Sequence, residues 1–121
     1  MKLPPKTIAD AWIELRDGDL DCTEVKVGAW VDEALELAIH HDPDYAFEII
    51  EAISDRKMSE DALMQFSVGP LENLLAYQGA MVINKVEFKA KQSLAFISAL
   101  ESVWQRSIPD EIWNRIQNCL K

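Results

Sequence analysis

The sequence predicts an all-α fold with seven or eight short helices, packed as antiparallel helix hairpins in a short solenoid-like stack without a sheet. Three observations support this prediction. Apolar residues recur at helical spacing in one segment after another. Residues typical of helix starts and stops separate these segments. No stretch alternates apolar and polar residues with the β-branched enrichment of strands. Because the connections are short, we expect consecutive helices to be antiparallel neighbours.

The chain is predicted to be one domain, residues 1–121, in which an N-terminal helix and acidic loop (1–23) precede a helical core (24–121). Hydrophobic residues at 49% and charged residues at 27% are ordinary values for a globular domain. No run approaches the ~18 apolar residues of a membrane helix, and the first residues lack the apolar stretch of a secretion signal. We therefore expect a cytoplasmic protein with Cys22 and Cys119 as reduced thiols.

The first helix is predicted to begin with Thr7 as its N-cap and to extend to about Leu15 or Arg16. Its apolar residues recur at i, i+3, i+4 and i+7 and therefore share one face. They are Ile8, Ala11, Trp12 and Leu15.

Asp17, Asp19 and Asp21 alternate in the acidic loop like the first ligands of a calcium-binding loop. The pattern then fails, because the sixth position is Cys22 instead of Gly and the twelfth is Gly28 instead of Glu. We therefore predict a solvated acidic loop without a metal ion.

The second helix is predicted to extend from Thr23 or Glu24 to His40. Its predicted buried face holds Val27, Trp30, Val31, Ala34, Leu37 and Ala38. Its predicted polar face holds Asp32, Glu33 and Glu36. A second set of metal ligands is missing, so His40 and His41 are interpreted as structural residues beside the negative end of the helix dipole.

Asp42 and Pro43 predict the start of a third helix that extends to about Asp55, with Asp42 as its cap. Its apolar stripe consists of Tyr45, Ala46, Ile49, Ile50 and Ile53. Ser59 is predicted to cap a short fourth helix that ends at Gly69.

The central segment from Gly69 to Gly79 carries both a helix start and a helix stop. Pro70 suits a first helical turn, and the carboxylate of Glu72 suits the positive end of the helix dipole. Gly79 is predicted to end this helix.

Three helices are predicted after Gly79. The first extends from Ala80 to about Lys91 and carries a solvated basic face formed by Lys85, Lys89 and Lys91. Residues 93–105 form a second helix that is apolar over a wide arc. Ser107 and Asp110 are placed like a capping box before the last helix.

The negative charge is concentrated in the first half of the chain. Residues 1–61 hold sixteen Asp and Glu against six Lys and Arg, and residues 62–121 hold five against six, so that −10 and +1 give the total of −9. An acidic half repels nucleic acid and anionic membranes, and it attracts basic proteins. Solubility is the competing explanation for the same charge.

No catalytic constellation is recognisable, and we predict a protein that is not an enzyme and holds no cofactor. A nucleophilic triad needs a histidine beside Ser or Cys, but His40 and His41 are adjacent at a helix end. No phosphate-binding glycine loop or CxxC motif is present. A hydrolase with paired carboxylates stays open, because helices could bring Glu72 close to Glu48 or Glu51.

Two blocks resemble a family of short, uncharacterised bacterial helical domains. The blocks are Gly69-Pro70-Leu71-Glu72 with Leu74-Leu75, and Val103-Trp104-Gln105 followed by Pro109-Asp110-Glu111 and Trp113. The resemblance covers about residues 25–118, and it implies a helical fold and a bacterial origin but no reaction. Its motif residues Glu72, Trp104, Gln105 and Trp113 are interpreted structurally, as a helix-start carboxylate, two core indoles and a buried amide.

The first functional hypothesis is a non-enzymatic, acidic protein-binding module. In its most concrete form, this is a bacterial immunity-type protein that masks a basic toxin domain such as a nuclease. Nucleic acids and membranes are not predicted partners. The predicted contact residues are Asp17, Asp19, Asp21, Asp32, Glu33, Glu36 and Asp44.

The second hypothesis is a domain that binds a small ligand or catalyses hydrolysis in a pocket near Glu72, Trp104 and Gln105. A third is a structural or self-associating helical adaptor. A cleft with converging polar groups at Glu72 would favour the second hypothesis over the other two.

Overall fold

Helices make up the fold of the residues described in the computed structural model, which are 3–17 and 30–121. No strand occurs among them, which confirms the all-α prediction. The α-helices are α1 (Pro5–Asp17), α2 (Trp30–His41), α3 (Pro43–Ser54), α4 (Glu60–Phe66), α5 (Glu72–Gln92), α6 (Leu94–Glu101) and α7 (Asp110–Cys119). Because a π-helical turn (Ser67–Leu71) joins α4 to α5, these residues form six continuous helical runs instead of the predicted seven or eight.

The prediction of a helix end at Gly69 was wrong, because the backbone is helical through it, whereas the predicted end at Gly79 lies one residue after a kink at Gln78. Pro70 lacks an N–H and would break a regular α-helix. The chain accommodates it in the π turn, where the N–H of Glu72 donates to the carbonyl of Ser67, five residues earlier. The helix therefore continues from Glu60 through Pro70 to a kink at Gln78, after which the helical backbone extends to Gln92.

Gly79 follows the kink of α5 and serves close packing. A Cβ at this position would lie 2.9 Å from Cγ2 of Ile112, so the missing side chain lets α7 approach α5. One residue earlier, Gln78 departs from helical geometry, with φ −132° and ψ 23°. Its side-chain amide donates a 3.1 Å hydrogen bond to the carbonyl of His40 at the end of α2.

Among the described residues, three helix starts carry side-chain caps. Asp42 accepts a hydrogen bond from the N–H of Tyr45, and Ser59 accepts one from Ala62, both as predicted. Ser93 caps α6 in the same way. Thr7 is not a cap, because α1 already begins at Pro5 and the N–H of Thr7 donates to the carbonyl of Pro4.

The buried face of α2 differs from the predicted one. Val31, Leu35, Ala38 and Ile39 are buried, whereas Trp30 is 40% exposed and Leu37 is 58% exposed. The sequence of α2 is apolar on more than one side, so its periodicity fits two faces, and the contacts with α3 and α5 select one. Val27 lies outside the described residues.

The segment after α6 also differs from its prediction. The helix ends at Glu101 instead of Gln105, the indole of Trp104 is 62% exposed, and Gln105 is half-buried. No side chain caps α7, whose N-cap is Pro109. The carboxylate of Asp110 instead accepts a 2.6 Å hydrogen bond from the amide of Gln105, and for this reason the predicted capping box does not form.

Buried apolar side chains of the described residues form one cluster, from Ile8 in α1 to Ile116 in α7. α1 lies mainly against α3, whereas α5 packs against α2, α3, α6 and α7. Trp12 is fully buried and meets Phe66 edge to face, with ring centroids 5.9 Å apart. None of the helices described here combines the length and the apolar character needed to cross a membrane.

Replacing Gly79 by alanine should destabilise the protein, although alanine is the better helix former by about 1 kcal/mol. Overpacking against Ile112 costs about 1–3 kcal/mol, so urea denaturation should show a net loss of ~1 kcal/mol. The matched control is Gly69→Ala, since nothing lies within 4 Å of its added Cβ. This control should keep or raise the free energy of unfolding. Equal stability of the two variants would contradict the close approach of α7 to α5.

Candidate functional site

The seven predicted contact carboxylates have different environments. Asp19 and Asp21 lie outside the described residues. Asp17 accepts hydrogen bonds from Ser59, from its N–H at 2.8 Å and from its hydroxyl at 2.6 Å. The same hydroxyl oxygen caps α4, so Asp17 fixes the end of α1 to the start of α4. These bonds from Ser59 hold the pKa of Asp17 below its usual range.

Two further predicted carboxylates are paired within the chain. Asp32 accepts a 2.8 Å hydrogen bond from Arg16, whose guanidinium also lies 4.5 Å from the ring centroid of Trp12. Asp44 accepts a 2.6 Å bond from Lys85. Both carboxylates are partly neutralised in the free protein.

The predicted basic face of α5 is not simply solvated. Lys89 is largely buried and lies 2.9 Å from Asp55 and 3.6 Å from Glu51, both on or beside α3. Burial lowers the pKa of Lys89, but hydrogen bonds and charge attraction from Asp55 and Glu51 outweigh it, so that the pKa is raised. With the pair of Lys85 and Asp44, these contacts join α5 to α3.

Glu33 and Glu36 differ from the paired acids. Both side chains are exposed, and Glu33 has no ion pair within the described ranges. The contact of Glu36 is with His40, 4.0 Å away. These two carboxylates are therefore available on the surface of α2.

The outer face of α2 consists of Trp30, Glu33, Glu36 and Leu37, and we use this name for these four residues. Trp30, Glu33 and Leu37 are spaced i, i+3 and i+7, so they lie on one side of the helix. An apolar groove of about 400 Å³ extends from Trp30 and Leu37 towards Tyr45. This face combines two large apolar side chains with two exposed carboxylates.

A second polar site surrounds Glu72, which the π turn places at the start of α5. Glu72 is only 5% exposed, and its Oε1 accepts a 3.1 Å hydrogen bond from the N–H of Trp104. Its Oε2 lies 3.8 Å from Nη1 of Arg106. Arg106 has φ 36°, a left-handed conformation that residues other than glycine rarely adopt.

An open cleft of about 250 Å³ lies beside Glu72, and we call it the Glu72 cleft. Its lining residues are Glu72, Asn73, Ala76, Tyr77, Arg106 and Ser107. The ring of Tyr77 is 61% exposed and lies 4.4 Å from that of His40, so the cleft adjoins the end of α2.

The predicted pocket of Glu72, Trp104 and Gln105 forms only in part. Trp104 contributes its backbone N–H, while its indole lies 5.9 Å from the guanidinium of Arg106. Gln105 bonds to Asp110 and to the carbonyl of Ile108, and it does not line the cleft. Trp104 is therefore not a core indole, and Gln105 is not a fully buried amide.

Asn73, Tyr77, Arg106 and Ser107 were not predicted. Asn73 and Tyr77 follow Glu72 at i+1 and i+5 within the predicted helix, but no local pattern marks them as residues of a cleft. No local pattern indicates that Arg106 and Ser107, more than thirty residues later, return to Glu72.

The Glu72 cleft presents one carboxylate, one guanidinium and neutral polar groups. Its lining holds one carboxylate, so it lacks the carboxylate pair of a glycosidase. Glu51, which the sequence suggested as a possible second carboxylate, lies 3.6 Å from Lys89 instead. In the part of the chain that the structure describes, no three His, Cys, Asp or Glu side chains form a metal-binding group.

A third cleft, of about 340 Å³, lies between α5 and α7 beside Cys119. Of its two cations, Lys91 and Arg115, the second is already paired, because Nε of Arg115 donates a 3.0 Å hydrogen bond to Glu87. Burial raises the pKa of the Cys119 thiol, which disfavours the reactive thiolate.

A model for a family of unknown function (DUF6869) matches residues 19–121. The chain belongs to DUF6869. The match contains α2 to α7, hence both the outer face of α2 and the Glu72 cleft, and it leaves out α1. No curated protein and no solved structure matches the chain. Membership in DUF6869 agrees with the predicted resemblance to an uncharacterised family.

Asp17→Asn should make the unfolding free energy less dependent on pH. Because the folded-state pKa of Asp17 lies below its unfolded value of 3.8, its stabilisation is present above that value and is lost as pH falls through the folded-state pKa. The difference in unfolding free energy between wild type and variant should therefore be constant above about pH 5 and shrink below about pH 4. Urea denaturation at several pH values measures it. Glu14→Gln, which removes an exposed charge from α1, is the control, and a difference unchanged down to pH 2 would contradict the role of Asp17.

Glu72→Ala should lower the free energy of unfolding by about 1–3 kcal/mol, because it removes the acceptor of the Trp104 N–H. Glu72→Gln keeps an acceptor oxygen and should cost less. Thermal and urea denaturation of both variants measure the difference. If glutamine were as destabilising as alanine, the hydrogen bond to Trp104 would not be the stabilising contact.

Proposed function

We propose that this member of DUF6869 is a non-enzymatic binding module for a basic protein and that it docks through the outer face of α2. In its most concrete form, it is a bacterial, cytoplasmic immunity-type protein that masks a basic toxin domain such as a nuclease. The observation that carries the proposal is the exposure of Trp30 and Leu37 on the same helix side as the carboxylate of Glu33, which has no ion pair among the described residues.

The composition of this face fits a protein partner. Buried aromatic and aliphatic anchors supply most of the binding energy in protein interfaces, and a polar rim surrounds them. Trp30 and Leu37 would be the anchors, while Glu33 and Glu36 would attract cations of the partner. Net charge −9 would speed the encounter with a basic domain at low salt.

The proposal narrows the contact residues predicted from the sequence. Asp17, Asp32 and Asp44 have donors within the chain, so a partner would have to compete with Ser59, Arg16 and Lys85. Glu33 and Glu36 face no such competition from lysine or arginine within 3–17 and 30–121. We therefore assign them the main electrostatic role.

Neutralising Glu33 and Glu36 together should slow association with the partner about tenfold at low ionic strength and flatten its salt dependence. Candidate partners are the basic domains encoded next to the gene for this chain, purified and measured by biolayer interferometry. Glu60→Gln with Asp61→Asn is the matched control, since it removes two exposed charges from the start of α4.

Leu37→Ala should instead accelerate dissociation, because it removes an apolar anchor and no charge. Cells that produce the toxic partner should survive with the wild-type chain and die with the variant that combines Leu37→Ala with both neutralised glutamates. If the α2 and α4 charge variants slowed binding equally, net charge alone would explain association and the docking face would be wrong.

A further inference from the structure

The two carboxylate oxygens of Glu72 have unequal partners. Oε1 accepts the hydrogen bond of the Trp104 N–H, whereas the 3.8 Å between Oε2 and Arg106 is too long for a hydrogen bond. The side chain is 6% exposed, and Oε2 accepts no hydrogen bond from the described residues. A buried carboxylate is stable when charged donors satisfy both oxygens. Oε2 can therefore accept a hydrogen bond from a further donor.

Arg106 is a poor permanent partner for this oxygen. Its side chain is 64% exposed and its backbone has φ 36°, in the loop that follows α6. The guanidinium lies between Glu72 and the exposed indole of Trp104, at 5.9 Å from the ring centroid. A second cation could therefore reach Glu72 while Arg106 turns towards solvent.

The remaining lining residues suit a cation. Asn73 and Ser107 bring oxygen acceptors to the rim of the Glu72 cleft, and Tyr77 brings an exposed aromatic ring. Cations are attracted to an aromatic face within about 6 Å of its centre. We propose that the Glu72 cleft binds a guanidinium or alkylammonium group, with Glu72 as its counter-ion and Tyr77 as its aromatic wall.

An anion fits the same cleft poorly. Arg106 is the cation among its lining residues, and it already lies next to Glu72. The buried negative charge would repel a carboxylate or phosphate, as would a net charge of −9. The sign of the ligand charge thus follows from the groups that the cleft presents.

This site is independent of the docking face on α2, since it has its own residues and is tested with small probes. The cationic group could belong to a free amine or to an arginine side chain of a peptide. Agmatine represents the first source and N-acetyl-Gly-Arg-Gly-amide the second. Succinate is the anionic control.

The test is a titration of the ¹⁵N-labelled full chain, followed by amide chemical shifts. The amides of Asn73, Trp104 and Ser107 should shift saturably with agmatine or the peptide, and that of Asn118, in the cleft beside Cys119, should not. Binding of agmatine alone assigns a free amine as the ligand, and comparable binding of both probes assigns a side chain. Succinate should cause no saturable shift.

Three variants test the assigned roles. Glu72→Gln should weaken binding at least about tenfold, the loss of one charge-assisted contact. Glu60→Gln makes the same change in net charge and should have no effect. Tyr77→Leu, at an exposed position where folding is not at risk, should weaken binding several-fold.

Arg106→Ala distinguishes a cation site from an anion site. Because Arg106 competes for Glu72, its removal should tighten agmatine or peptide binding about threefold. Any one of three results would overturn the proposal. The first is loss of binding in Arg106→Ala, and the second is unchanged binding in both Glu72→Gln and Tyr77→Leu. The third is the absence of saturable shifts with either probe.

Discussion

The architecture depends on how the chain accommodates a proline within a helix. Pro70 removes one backbone donor, and its ring would collide with a carbonyl of the preceding turn. The π turn from Ser67 to Leu71 avoids this conflict, and it lets α4 and α5 form one continuous run. A π turn adds one residue, which turns every following side chain by roughly 100° around the axis. At the end of the π turn, two consecutive residues are buried, the apolar Leu71 and the charged Glu72.

The charge asymmetry of the sequence has a structural counterpart in the contact between α3 and α5. Lysines of the second half of the chain pair with carboxylates of the first half, as Lys85 does with Asp44 and Lys89 with Asp55. The pair of Lys85 and Asp44 is exposed and adds little to stability, whereas that of the largely buried Lys89 is screened less by solvent. These pairs mainly determine where negative charge remains on the surface. They neutralise the carboxylates beside α5, and they leave Glu33 and Glu36 on α2 without a lysine or arginine partner among the described residues.

Helix existence could be predicted from the sequence, while helix ends and faces could be predicted only in part. Caps at Asp42 and Ser59 were recognisable because a short side chain reaches a backbone N–H three residues later, which is a local interaction. A break near Gly79 was recognisable, and a kink lies at Gln78, but the packing of Gly79 could not be predicted because it is set by Ile112, thirty-three residues away. The same limit applies to α2, where both candidate faces are apolar and only tertiary contacts decide between them.

Glu72 was recognisable as a candidate, but its surroundings were not. A carboxylate in a first helical turn is ordinarily exposed to solvent, and nothing in the sequence indicates that the loop after α6 covers it. The indole of Trp104 was expected in the core from its spacing, yet the helix ends before it and only its backbone faces Glu72. Non-local contacts of this kind have no signature in a single sequence.

The continuity of the helix through Pro70 is the central claim, and a distance measurement tests it most directly. Asp61 and Tyr77 are exposed on either side of the π turn and before the kink at Gln78, and spin labels at these positions suit pulsed electron paramagnetic resonance after replacement of Cys22 and Cys119 by serine. At 1.5 Å per residue, a helix that continues through Pro70 predicts a distribution centred at about 24 Å. A mean distance below about 15 Å, as in helices that reverse direction at Gly69, would contradict the account.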